Sequence, residues 1–148
     1  MQLNDKGKDL IKFYEGCKLV AYKCSAQKNT IGYGNTFYDD GTLVKPGDKI
    51  SQERANELFE IIAKEFADKV SPLIKSVVTP NQFAALTSFA YNAGIGNLKS
   101  STLLKKVNAN PNDPSIALEF AKWDKAGGKV LSGLTKRRAS ESKLYFTP

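Results

Sequence analysis

Residues 15–35 read EGCKLVAYKCSAQKNTIGYGN, and this stretch decides the architecture. Glu15 closes an amphipathic run, and Gly16 follows it. Beyond the glycine, the strand formers Leu19, Val20, Tyr22, Thr30, Ile31 and Tyr33 are broken by Gly32 and Gly34. β-Branched and aromatic residues set between turn residues read as short paired strands. The chain therefore passes from helix to hairpin within a few residues. Three polar, proton-active side chains mark that junction. Glu15 ends the helix, Cys24 lies nine positions on, at the end of one strand or in its turn, and Thr30 six further on starts the next strand.

The flanks agree with this reading. Residues 4–15 are predicted helical: Asn4 caps the start, Leu10, Ile11, Phe13 and Tyr14 recur at helical spacing, and Gly16 is the stop. Glu15 then sits where the helix macrodipole disfavours a negative charge, with Phe13 and Tyr14 expected to bury it. Residues 18–48 predict a small antiparallel sheet, with Thr36, Phe37 and Tyr38 continuing the strand formers. Asp39-Asp40-Gly41 and Pro46-Gly47 supply turns. A sheet this small has no core of its own and must pack on helices.

From Ser51 the chain is predicted helical to its end. Leu58, Ile61, Ile62, Phe66, Val70 and Leu73 form an apolar stripe of helical period, and Pro72 ends or kinks that helix. Thr79-Pro80-Asn81-Gln82 is a capping box, with Val78 and Phe83 placed to staple it, and its helix runs to about Tyr91. Gly94 and Gly96 break it. Further helices start at Ser100 or Ser101 and at Asp113-Pro114, the latter through Trp123. Gly127-Gly128 breaks the chain, and a last helix covers 133–145. The expected class is α+β, mainly helical, in one domain over residues 1–148. A small sheet-bearing lobe takes residues 16–55. The larger helical lobe takes 75–148 together with the N-terminal helix 1–15, and a connecting helix lies between. A cleft between lobes is a common substrate site.

Composition narrows the chemistry. The 148 residues carry 22 Lys or Arg against 15 Asp or Glu, a net charge of +7. Such a surplus favours anionic partners: nucleic acid, membrane headgroups or acidic wall polymers. Two cysteines, Cys17 and Cys24, and no histidine exclude a disulfide framework and every Ser-His or Cys-His nucleophile. No metal site and no cofactor are expected. An acid and base must come from Asp, Glu, Cys, Lys or Tyr. Cys17 reads as a small buried apolar residue. The opening MQLNDKGKDLIKF is charged throughout, without the apolar core of a secretory leader, and no stretch is long enough to span a membrane.

Other pieces stand in a fixed order behind Glu15, Cys24, Thr30 and Ile31-Gly32-Tyr33-Gly34. They are Phe89-Ala90-Tyr91-Asn92-Ala93-Gly94, Ser101-Thr102-Leu103-Leu104, Trp123, and Gly133-Leu134 with Arg137-Arg138. Over nearly the whole chain this order resembles the phage-type lysozymes, the endolysin muramidases of glycoside hydrolase family 24. Their signature is a Glu, eight residues, an Asp or sometimes a Cys, five residues, and a Thr, followed by Ile-Gly-Tyr-Gly.

The resemblance implies a lysozyme-like fold and hydrolysis of the β-1,4 bond between N-acetylmuramic acid and N-acetylglucosamine in peptidoglycan. Glu15 would be the general acid, with Cys24 and Thr30 positioning or activating water. Cys24 replaces the usual Asp, and a thiol of reference pKa about 8.5 is a weaker base at neutral pH. Base, water positioner and nucleophile all stand as readings of Cys24. By family position, Phe37, Tyr91 and Ser101 line the cleft, and Arg137 or Arg138 lies near Glu15. Tyr91 reads equally as core. For at least one of the two arginines, a solvated helix face is the expectation. Tyr33 with its glycines shapes the turn presenting Thr30 and approaches substrate. Asn35 stands where relatives often have His, and Trp123 reads as core.

The expected partner is the glycan strand of peptidoglycan, met by a monomer with no nucleic acid and no stable membrane insertion. The expected route runs from the host cytoplasm to the periplasm and wall after release. Two other readings are a nucleic-acid binder, suggested by the charge, and a membrane permeabiliser acting through helix 133–145. A lytic transglycosylase would use the same lone Glu.

Overall fold

Asn4 opens the first helix by accepting a hydrogen bond from the Gly7 amide at 2.9 Å. In the computed structural model, which describes residues 1–24 and 26–148, helix α1 spans Asp5–Glu15. Gly16 ends it with φ 65°, a left-handed conformation that costs glycine little. α1 lies close on α3 (Pro80–Ala93). A Cβ at Gly7 would stand 2.8 Å from the Cβ of Ala84, so only glycine permits this approach. Glu15, at the far end of α1, is thereby set beside α3.

The sheet follows at once. Strands β1 (Lys18–Lys23) and β2 (Asn29–Gly32) pair antiparallel, with Tyr22 opposite Thr30 and an irregularity between Lys18 and Tyr22. Isolated bridges Val20–Lys49 and Phe37–Leu43 extend the sheet to residue 49. β1 is largely exposed, whereas Thr30, Ile31 and Gly32 are buried. The sheet rests on α2 (Gln52–Val70), which Ser51 caps through the Arg54 amide. Pro72 ends that helix, as its position predicts, in a 3-10 turn over Ser71–Leu73.

α3 is the central helix. Its capping box forms as the sequence predicts, and its residues from Asn81 to Ala90 are all buried. Against it pack α1, α2, α4 (Ile95–Ser100) and α7 (Ser132–Tyr145); α5 (Thr102–Ala109) packs on α4 and α6, and α6 (Ile116–Ala121) on α7, with Phe120 edge-on to Phe89 of α3. One apolar cluster runs from Leu3 to Tyr145 through Phe59, Phe83, Phe89 and Phe120. Each such ring contributes about 1.5–3 kcal/mol by leaving water. Trp123 packs edge-on against Phe89 at 5.3 Å, in keeping with its reading as core.

Five local expectations need correction. The chain is not helical throughout after Ser51: β3 (Lys125–Ala126) and β4 (Lys129–Val130) form a hairpin. Gly127 and Gly128, with φ 59° and 80°, make its two-residue turn, which needs left-handed backbone at both positions. Gly94, at φ 100°, breaks α3 but a new helix starts immediately as α4. The helix expected from Asp113-Pro114 to Trp123 is shorter. Asp113 accepts from both the amide and the hydroxyl of Ser115, at 2.9 and 2.8 Å, so helix starts only at Ile116. Phe13 is 78% exposed and buries nothing. The last helix is no free amphipathic element either: Arg137, Arg138, Glu141, Leu144 and Tyr145 of α7 are buried. Among the described residues, no helix is long and apolar enough to cross a membrane.

Candidate active site

Glu15 ends α1 beside a cluster of charges buried between α3 and α7. The Arg137 guanidinium donates through Nη1 to Glu15 Oε2 at 2.6 Å. It also donates through Nη2 to the Ser88 carbonyl at 3.2 Å, and through Nε to Glu141 Oε2 at 3.3 Å. Arg137 is 3% exposed, whereas the Glu15 side chain keeps 18% of its surface. Glu15 is thus held on one oxygen by Arg137 while its side chain stays partly exposed. Gly34 explains the second oxygen's place. It has φ 74°, and a Cβ there would run into Glu15 Oε1 and its carboxyl carbon. The backbone at Gly34 therefore lies directly on the carboxyl group.

Arg138 has a different partner set. It pairs with Glu141 at 2.8 Å, donates to Asn92 Oδ1 at 2.8 Å and lies 4.9 Å over the Phe89 ring. It is 1% exposed, and of the two arginines Arg137 is the one that bonds Glu15. Neither arginine lies on a solvated face, against expectation. The reason is Glu141, fully buried and placed to hold both guanidiniums, with the Ser88 hydroxyl 2.6 Å from Oε2. Burial pushes the Glu141 carboxyl up, against the pull of Arg138, Arg137 and Ser88.

Cys24 and Thr30 belong to the hairpin that follows α1. Tyr22 and Thr30 are directly opposed in the hairpin, so their side chains share a face, and Cys24, two residues past Tyr22, follows the same alternation. The Cys24 amide donates to the Lys28 carbonyl at 3.0 Å, and the Gln27 amide to the Cys24 carbonyl at 2.8 Å, closing the turn. Thr30 is buried, its hydroxyl donating to the Lys28 carbonyl at 3.0 Å. Burial pushes the Cys24 thiol up. Hydrogen bonding from the Thr30 hydroxyl and from the turn's backbone outweighs it, and the thiol falls below its ordinary range. Burial, then the charges of Glu15 and Cys24, raise the Tyr22 phenol. Tyr22 is itself about one third exposed, at 37%.

The remaining expected residues divide. Tyr91 is largely enclosed. Its hydroxyl donates to the Tyr33 carbonyl at 2.6 Å and accepts from Asn35 at 3.0 Å. Tyr33 turns its hydroxyl to Asn56 and Gln52 on α2, at 3.2 and 3.3 Å, and its ring to Phe59. Phe37 is half-buried in the bridge to Leu43. Ser101 is a correction: it is buried, and its hydroxyl donates to the Leu98 carbonyl at 2.7 Å and accepts the Leu104 amide at 3.0 Å. Its hydroxyl caps α5 and has nothing left for a sugar. Cys17 is half-exposed, and its thiol points to Gln52 at 3.7 Å, so it is not the apolar filler expected. Both cysteines are free thiols.

Sequence reading passed over Glu141, Ser88, Asn92 and Tyr22. A signal existed for Glu141: it lies four residues after Arg137 and three after Arg138, the spacing of helical ion pairs. Among the described residues, no group of three or more His, Cys, Asp or Glu is placed to hold a metal ion.

Known proteins share this arrangement of elements. The Phage lysozyme family model matches residues 12–141. The chain is 47% identical to the endolysin of Bacillus phage B103 over 99% of its own length, and spans 55% of that relative. It is 34% identical to the endolysin of Salmonella phage P22, covering 99% of both chains. Among solved structures, an endolysin from Escherichia coli O157:H7 phage FAHEc1 superposes with a TM-score of 0.89 at 40% identity, over 99% of this chain and 94% of that one. The muramidase domain of SpmX from Asticaccaulis excentricus gives 0.85 at 30%, over 99% of each. The match runs from within α1 to Glu141 and takes in Glu15, Cys24, Thr30 and both arginines, and on it the chain belongs to the phage lysozyme family.

Proposed function

We propose that this chain is a muramidase, cutting the β-1,4 bond between N-acetylmuramic acid and N-acetylglucosamine in peptidoglycan and so lysing the host cell. The observation that carries this reading is the placement of Glu15. Arg137 fixes one of its oxygens, Gly34 lies against the other, and the hairpin that carries Cys24 and Thr30 follows directly in the chain. Glu15, protonated, gives its proton to the leaving glycosidic oxygen as the bond to the anomeric carbon breaks. Water adds to that carbon and passes its proton to the Cys24 thiolate, with Thr30 holding water and thiolate in line. Arg137 orients Glu15 and favours the carboxylate left after the transfer. Tyr22 offers a ring edge to the sugar between the two groups.

The +7 charge supports approach to an anionic wall. The chain acts as a monomer, in one domain, and moves from host cytoplasm to wall when released. Turbidity clearing of chloroform-treated Gram-negative cells tests the reading. Wild type clears, Glu15→Gln does not, and Cys24→Ser clears slowly. Full clearing by Glu15→Gln would show that lysis does not come from this site.

A further inference from the structure

α3 presents three polar side chains on one face, Ser88, Tyr91 and Asn92, at helical spacing. Ser88 fixes Glu141 and, through its carbonyl, Arg137. Asn92 fixes Arg138. Tyr91 is the member that reaches the sheet region. Its ring is wedged against Phe66 at 5.1 Å and Phe59 at 6.1 Å. Its hydroxyl is used twice, on the Tyr33 carbonyl and on Asn35 Nδ2, both within the segment that follows Thr30. Burial, and next the charge of Glu15, keep that hydroxyl protonated far above the ordinary tyrosine range.

That segment sets the geometry of the site. It begins at Thr30, closes on itself through the Ile31 and Asn35 amide–carbonyl pairs at 2.8 and 2.9 Å, and lays Gly34 on the Glu15 carboxyl. The covalent route from Glu15 to Thr30 runs through β1, which is exposed along most of its length, and the turn after Cys24. The Tyr91 hydroxyl adds a non-covalent tie from α3 to the segment that follows Thr30. Asn35 itself is almost wholly buried, and among the described residues its Oδ1 has no hydrogen-bond partner, while its Nδ2 donates to the Tyr91 hydroxyl.

We infer that Tyr91 is a positioning residue: its hydroxyl ties the Thr30–Gly34 segment to the face of α3 that also fixes Arg137. It thereby sets the gap between Glu15 and the Cys24–Thr30 pair. The inference rests on the muramidase reading. Tyr91 touches no reacting atom, so its loss acts on alignment, where a displacement of about 1 Å costs on the order of 100-fold in rate.

The test compares wild type, Tyr91→Phe, Phe66→Leu and Glu15→Gln. Release of reducing ends from purified glycan strands is followed at a temperature where each is folded, and thermal midpoints and amide hydrogen exchange are measured alongside. Tyr91→Phe is expected to lose about 10- to 100-fold in kcat with KM within about twofold. The Ile31 and Asn35 amides should exchange at least about tenfold faster, while those of α7 are unchanged. Phe66→Leu, which loosens the ring packing but keeps the hydroxyl, should melt earlier and keep its kcat. Wild-type kcat in Tyr91→Phe, with only a lowered midpoint, would make the hydroxyl merely structural and overturn the inference. Unchanged exchange at Ile31 and Asn35 would overturn it as well. If wild type itself released no reducing ends, the muramidase reading would fail, and the catalytic part of this inference with it.

Discussion

Replacing Glu141 by Gln keeps the shape of the side chain and removes one charge from a cluster of two carboxylates and two guanidiniums. The structure allows the cost to be worked out. Glu141 is fully buried, as are Arg137 and Arg138, so the charge it balances has no access to water. It meets Arg138 at 2.8 Å, Arg137 at 3.3 Å and the Ser88 hydroxyl at 2.6 Å. In the variant, Arg137 keeps Glu15 and the Ser88 carbonyl, Arg138 keeps Asn92, and one buried positive charge is left over. Breaking a buried pair on one side costs about 3–5 kcal/mol. A domain of this size loses about 2–4 °C per kcal/mol, so the midpoint should drop by roughly 6–20 °C at neutral pH. Glu57→Gln is the control. Its pair with Arg54 is exposed and worth about 0–1 kcal/mol. Thermal unfolding followed by circular dichroism reads both. A shift at Glu141→Gln no larger than at Glu57→Gln would refute the claim that Glu141 neutralises the arginine pair.

Gly34→Ala should lose at least about 100-fold in glycan cleavage, since its Cβ meets the Glu15 carboxyl and alanine resists φ 74°, whereas Gly41→Ala, also at positive φ but in open space, should lose some stability and keep activity. Cleavage rate against pH tests Cys24. If its thiolate takes the proton from water, activity rises with pH through the thiol's pKa, which lies below the ordinary range, and Cys24→Asp moves that rising limb to the carboxylate range near about pH 4. A limb unmoved by the substitution would assign the base elsewhere. Hydrogen bonds from Lys106 and then Lys122 lower the buried Glu119 carboxyl. A depressed carboxylate stabilises above its unfolded pKa and loses that contribution as pH falls through the folded one. Glu119→Gln should therefore melt earlier than wild type at neutral pH, with the difference closing below about pH 4.

What could be read from the sequence was what depends on neighbours in the chain. Asn4, Gly16, Ser51 and the Thr79–Gln82 box act within one helical turn, and each caps or stops its helix as expected. The helix-to-hairpin junction was legible because strand formers and turn glycines alternate there. Glu141 was not, because an acid in a basic helix is the ordinary pattern of a solvated surface. Only the packing of α7 on α3 turns that pattern inward. Ser101 was misjudged because a serine before an apolar run serves equally as cap or as polar contact, and the buried hydroxyl decides for the cap. The β3–β4 hairpin escaped for want of strand formers: Lys125, Ala126 and Lys129 carry little β propensity, and the glycine pair alone makes the turn. Tyr91, open between core and cleft, proved to be neither a free wall nor plain filler, since its ring is packed and its hydroxyl crosses to the sheet region.

The central claim is that Glu15 drives attack by water on a glycan strand. It is tested most directly by digesting purified peptidoglycan in ¹⁸O-labelled water with wild type and Glu15→Gln and analysing the products by mass spectrometry. The account predicts one labelled oxygen at each new reducing muramic acid end with wild type, and no new ends with Glu15→Gln. Unlabelled anhydro-muramic ends, the mark of a transglycosylase, or labelled ends released equally by Glu15→Gln, would contradict it.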